Sequence, residues 1–176
     1  MSLILSVLEQ GMIYAIMALG IYITYKILDF PDLTVDGSFP MGAALTCVLI
    51  AKGVNPLLTL PISFLAGVAV GILTGIIHVK LKVRDLLSGI IMMTALYTVN
   101  LRIAGRANFP IYNYQTIFDN DFVNKIFPAA LKPYRTVIVV LVITLVTKYL
   151  LDAYMRTKSG FLLRAVGDND TIVTSL

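Results

Sequence analysis

Residues 57–79 read LLTLPISFLAGVAVGILTGIIHV, and KLKVR follows at once as residues 80–84. The run holds no Asp, Glu, Lys or Arg, and it exceeds the roughly 20 residues that a helix needs to cross the hydrocarbon of a bilayer. Lys80, Lys82 and Arg84 crowd the link behind it, which places that end on the cytoplasmic side. The rest of the chain agrees with this one segment. Of 176 residues 58% are hydrophobic and 14% charged, with a mean hydropathy of +0.87, where a soluble domain carries about 25% charge. Composition therefore defines an integral membrane protein.

Apolar blocks alternate with short polar punctuation on either side of this span. Leu3 to Tyr25 is the first; it has no basic stretch before it and no A-x-A-like site after it, so it is not a cleavable signal peptide. Gly37 to Ala51 is apolar but short, Leu86 to Leu101 is slightly short, and Tyr134 to Leu151 completes the set. The expected fold is all-α: a polytopic membrane helix bundle with about five membrane segments, one of them short and broken or re-entrant. Lys148 near the end of the last block and Arg156, Lys158 and Arg164 after it place that end on the cytoplasmic side, so residues 102–133 fall outside. Within that loop Ile117, Phe118, Phe122, Val123, Ile126 and Phe127 recur at helical spacing between Asn113 and Pro128 and predict a short interfacial helix. Gly67, Gly71 and Gly75 repeat every fourth residue in the third block and predict a close helix–helix approach.

Several function classes drop out. The net charge of +4 is spread through the gaps between apolar blocks, which fits anionic lipid and not nucleic acid. Cys47 and His78 are each the single residue of their kind, so a disulfide, a thiol–metal site or a His-based catalytic dyad has nothing to build on. Neither GxxxxGK[ST] nor GxGxxG occurs, so this chain is expected to be no enzyme and to carry no nucleotide or other cofactor of its own.

Two places carry information beyond hydropathy. Asp29 to Gly42, DFPDLTVDGSFPMG, puts three carboxylates, two prolines and two glycines between apolar blocks. Proline lacks the backbone donor and clashes with the preceding turn, so Pro31 and Pro40 predict unwound backbone here, with Ser38 capping a half-helix. Such backbone is tolerated at membrane depth only where it is buried in protein or lines a wet cavity; the competing reading is an ordinary hydrophilic loop. On the first reading Asp32 to Ser38 borders a translocation pathway. Thr34 and Ser38 then meet substrate, and Asp32 and Asp36 bind an amino group or cap the helix. Asn100, near the outer end of the fourth block, joins them as a pathway candidate. Glu9, in the first block, is read as interfacial. The second place is Met155 to Leu176, MRTKSGFLLRAVGDNDTIVTSL. Ser159 is expected to cap a helix through Phe161 and Val166, Gly167 to stop it, and Asp168, Asn169 or Asp170 to cap the next, giving a cytoplasmic helix pair suited to docking.

These stretches resemble a known family. GMIYAIMALGIYITYKILDFPDLTVDGSFPMGAA (11–44), LLSGIIMMTALYTVNLRIAG (86–105) and SGFLLRAVGDNDTIVTSL (159–176) are similar, in order and spacing, to the permease subunits of bacterial ABC importers of the branched-chain amino acid and simple sugar type. DLTVDGS resembles the DLSVG-type turn of the sugar permeases, but Asp36 adds a carboxylate there and leaves the substrate open. A closer resemblance is to a branch that handles amino acids, aromatic ones among them, with a lipoprotein-type binding protein. The resemblance implies a single transmembrane permease domain over residues 1–176, the N-terminal part of a longer permease, in the bacterial plasma (inner) membrane. It implies that ATP is hydrolysed on a separate ABC ATPase, which docks a cytoplasmic coupling helix at Gly160, Arg164, Ala165, Gly167, Asp168 and Asn169. It further implies an extracytoplasmic substrate-binding protein and a second permease copy or homologue as partners. The alternative from the residues alone is a secondary transporter or channel, in which Glu9, Asp29, Asp32 or Asp36 binds protons or Na+.

Overall fold

Backbone polar groups in lipid must be satisfied within the chain, and a computed structural model does this with helices alone among the residues it describes, 2–112, 114–119 and 134–168. In order these are α1 (Ser2–Ile21), a π-helical extension (Tyr22–Ile27), α2 (Val35–Ala51), α3 (Pro56–Val79), α4 (Asp85–Ala104), a 3₁₀ turn (Ile117–Asp119), α5 (Arg135–Met155) and α6 (Lys158–Asp168). α1 with its extension, α3, α4 and α5 are long and apolar enough to span a membrane; α2, at 17 residues, is the short segment. Its axial length of about 26 Å falls below the roughly 30 Å of hydrocarbon. The expected helix between Asn113 and Pro128 lies largely outside the described residues; its described part holds only the 3₁₀ turn.

The ends of the elements follow from local chemistry. Asn55 accepts the Leu57 N–H at 3.0 Å and caps α3, with Pro56 at the first helical position. Gly105, at φ +68°, closes α4 through its N–H to the Leu101 carbonyl at 2.9 Å. The π extension of α1 ends through the Leu28 N–H to the Ile23 carbonyl at 3.0 Å, and Asp29 then turns left-handed at φ 52°.

The described residues form two compact units. In the first, residues 2–30 and 134–168, α1 packs on α5 and the Thr144 hydroxyl lies 2.9 Å from the Val140 carbonyl and 3.3 Å from that of Met12. In the second, residues 31–112 and 114–119, α2 packs on both α3 and α4 around Met41, Val70, Met92 and Leu96. Leu33 lies beside Gly89, and Gly37 beside Met93 and Leu96, so α2 runs parallel to α4. Thr34 meets Thr74, and Thr46 meets Ser63 at 2.8 Å, so α2 is antiparallel to α3. The broken end of α2 therefore lies at the same end of this unit as the basic 80–84 link.

The break is shorter than the sequence suggests. Residues 28–32 carry no helix, residues 33 and 34 form a turn, and α2 is helical from Val35 onward. Ser38 does not cap it: Thr34 precedes the first helical residue and makes no capping bond through its side chain, and the Asp32 carboxylate accepts the Thr34 N–H at 2.8 Å in the turn just ahead of the helix. Ser38 lies inside the helix and returns its hydroxyl to the Val35 carbonyl at 3.4 Å. Pro40 is accommodated within α2; so early in a helix it deletes a single backbone bond, the one its N–H would have given to the Asp36 carbonyl. The glycine stripe also departs from expectation. An added Cβ at Gly67, Gly71 or Gly75 would meet nothing within 4 Å, so no described helix uses that face.

Candidate functional site

The broken end of α2 is welded to its neighbours by small residues. A Cβ at Gly37 would lie 2.9 Å from the Leu96 side chain, and one at Gly89 would lie 2.8 Å from the Leu33 backbone nitrogen. Thr34 and Thr74, both buried, share a hydrogen bond of 3.1 Å. Thr74 donates its one hydroxyl proton to the Val70 carbonyl at 3.1 Å, which makes Thr34 the donor between the two.

Above this weld α2 and α4 diverge into a groove of about 740 Å³. Asp36, Gly37, Pro40, Ala43, Ala44 and Cys47 form one wall; Met93, Thr94, Tyr97, Asn100, Leu101 and Ala104 form the other, and Arg106, Ala107 and Phe109 stand at the far mouth. Small side chains on α2 oppose larger ones on α4, which leaves room for a ring-sized group. Asn100 donates through Nδ2 to the Gly37 carbonyl at 3.0 Å. Its Oδ1 is shut off from solvent and accepts nothing among the described residues. The Arg106 guanidinium stacks over the Phe109 ring at 5.3 Å. Among the described residues Asp36 has no ion-pair partner.

Of the five pathway residues expected from sequence, the structure brings Asp36 and Asn100 to one groove and leaves the others elsewhere. Thr34 is buried against Thr74, the Asp32 carboxylate holds the turn ahead of α2 through the Thr34 N–H, and Ser38 bonds within its own helix. Sequence reading missed Tyr97, Arg106 and Phe109, whose signal was only a polar and aromatic cluster around the end of the fourth block. His78 sits at the link, its Nδ1 3.0 Å from the Val83 carbonyl and 3.1 Å from the Asp85 carboxylate, where it ties the end of α3 to the start of α4.

The second candidate surface is α6. Thr157, not Ser159, caps it, its hydroxyl oxygen accepting the Gly160 N–H at 3.3 Å. Gly160 is buried, and a Cβ there would stand 2.6 Å from the Tyr154 carbonyl oxygen. Gly167 does not stop the helix, which runs through Asp168; a Cβ on Gly167 would collide with the Ile27 carbonyl at the end of the π extension. Both glycines thus serve close contact within this chain. Phe161 and Leu162 are 62% and 60% exposed, and Arg164, Ala165 and Asp168 share their exposed condition. Asn169 and the second helix of the expected pair lie outside the described residues.

Among the described residues, four helices long enough to span, a fifth that is short, and a mostly apolar groove holding opposite charges are the features of a polytopic membrane permease. No solved structure matches the chain. The model of the family described as branched-chain amino acid transport system / permease component matches residues 3–176, and the chain belongs to that family. It is accordingly a multi-pass protein of the bacterial plasma (inner) membrane. It is 40% identical over 176 residues to a protein named tyrosine transport system permease protein from Clostridioides difficile (strain R20291), covering 100% of this chain and 56% of the relative. It is 30% identical over 177 residues to an uncharacterized protein from Rickettsia prowazekii (strain Madrid E), covering 59% of that relative. The chain thus spans little more than half the length of these relatives.

Proposed function

We propose that the chain forms part of the permease subunit of an ABC importer that carries an amino acid inward, with ATP hydrolysed by a separate ATPase subunit. The observation that carries this reading is α6: a short helix fixed to α5 through Gly160 and to the end of α1 through Gly167, with Phe161 and Leu162 left outward. A helix held rigidly by its own chain and apolar on its free face suits a groove in a partner, and it transmits the partner's movement to two spans at once. Energy coupling is then a difference in docking free energy between the nucleotide states of the ATPase. An extracytoplasmic binding protein delivers substrate, and a second permease copy or homologue completes the pathway. The tyrosine permease relative supports an amino acid as the substrate class.

The test is uptake of radiolabelled L-tyrosine into proteoliposomes that hold the complete complex. Uptake is expected to need ATP on the cytoplasmic side and to continue when proton and sodium gradients are collapsed. Uptake driven by either gradient without ATP would establish a secondary transporter and end the importer reading.

A further inference from the structure

We propose that the α3–α4 link binds anionic phospholipid headgroups of the inner leaflet, with Lys80, Lys82 and Arg84 on the phosphates and Val79 and Leu81 at the acyl boundary. The inference stands apart from the importer reading and does not depend on what the permease carries. Its first support is placement. Both helices are long and apolar enough to span, and only residues 80–84 separate the end of α3 at Val79 from the start of α4 at Asp85. Lys82 turns left-handed at φ 52° to bring the chain back. At about 3.5 Å per residue, a link this short cannot lift its backbone more than about 10 Å from the edge of the hydrocarbon. Its cations therefore stay within a Debye length of the charged lipid surface.

The second support is charge that the chain does not balance. Lys80, Lys82 and Arg84 are all exposed, and none is ion-paired among the described residues. Asp85, the adjacent carboxylate, is engaged elsewhere: His78 Nδ1 lies 3.1 Å from it and 3.0 Å from the Val83 carbonyl. Both are acceptors, so Nδ1 carries a proton and donates to them. At the same end of this unit the Asp32 carboxylate holds the Thr34 N–H, and Asp36 makes no ion pair with the link. Three like charges within five residues repel one another, and phosphate oxygens supply the counter-charge. The third support is apolar. Val79 and Leu81 are 70% and 67% exposed, and Leu86 and Leu87 are exposed in the first turn of α4. Uncovered apolar side chains alternating with lysines suit the acyl boundary, from which the lysine stems reach up to the phosphates. A free anion would meet the cations but leave this apolar surface in water, so the occupant is a lipid.

Residues 1–176 hold no tryptophan, which permits a single reporter. Leu81→Trp is made in the complete permease, any tryptophan outside these residues being replaced by phenylalanine. Its fluorescence is quenched by brominated phosphatidylglycerol or brominated phosphatidylcholine in mixed vesicles, which gives the relative binding constant of the two lipids. A basic residue near an anionic surface contributes about fivefold, so phosphatidylglycerol is expected to be favoured by more than about fivefold. Lys80, Lys82 and Arg84 replaced together by glutamine should bring the constant near unity, and 0.5 M NaCl should lower it. Phe64→Trp, exposed on the middle of α3, should show no preference. A thermal midpoint checks that the triple variant folds; Lys82→Gln alone, expected to lower the preference by about twofold to fivefold, keeps the test decisive if it does not. Equal affinity for the two lipids at Leu81→Trp overturns the proposal, as does a preference that survives the glutamine replacements. Loss of the preference in 10 mM inorganic phosphate at constant ionic strength would assign the link to a free anion, and loss on assembly with the ATPase would assign it to that subunit; either result overturns the lipid site.

Discussion

Glycine does different work at different positions in this chain, and the differences can be measured one residue at a time. At Gly89 a methyl group would press on the Leu33 backbone nitrogen, which cannot swing aside, while at Gly42 it would rest 3.9 Å from the Ser63 Cβ, an ordinary contact. Gly89→Ala is therefore expected to cost about 1–3 kcal/mol, as overpacking does, and Gly42→Ala to stay within about 0.5 kcal/mol. Thermal denaturation of the purified protein compares them; equal midpoints would mean that the α2–α4 contact is looser than described. None of this was legible in the sequence, which marked Gly67, Gly71 and Gly75 for close approach and gave no sign of the contacts at Gly37 and Gly89. Position decides, and position depends on a neighbour far along the chain: Gly37 and its Asn100 partner are 63 residues apart.

Among the elements, α6 shows where sequence reading succeeds and where it stops. Its amphipathic pattern and basic flank were plain from residues 156–168, and the helix forms there. The roles of its glycines were not, because a helix-terminating glycine and a close-contact glycine have the same local context. The same limit applied to Pro40, read as a break and found inside α2: one lost backbone bond near a helix start is affordable when α3 and α4 hold the rest. The geometry of α6 makes a prediction. Gly167→Leu drives a side chain into the Ile27 carbonyl and should dislodge α6, lowering tyrosine uptake while the ATPase continues to hydrolyse ATP, or reducing co-purification of the ATPase. Phe161→Ala removes only outward apolar surface and should weaken co-purification alone. Normal uptake and normal co-purification in both variants would refute the docking role of this helix.

For the whole molecule, hydropathy made the spans legible because the bilayer imposes a length and an apolar character that no local accident imitates. The internal pairing of the spans was not legible, since apolar faces in lipid carry little label for their neighbours. Orientation rests on the basic link between α3 and α4, and it has a direct check. In a Cys47→Ser background, a cysteine replacing Lys82 should react with a membrane-impermeant thiol reagent only from the cytoplasmic face, and one replacing Gly53 only from the outer face. The opposite pattern would invert the protein and place the mouth of the groove, with Arg106, in the cytoplasm. The shortness of α2 has a consequence for the surrounding lipid. With about 4 Å less reach than the hydrocarbon is deep, it sets a hydrophobic mismatch that costs a fraction of a kcal/mol for each ångström. Short acyl chains relieve that mismatch and long or sterol-ordered ones sharpen it, so the bilayer itself becomes a ligand of the permease, favouring whichever conformation brings the two ends of α2 closest to water.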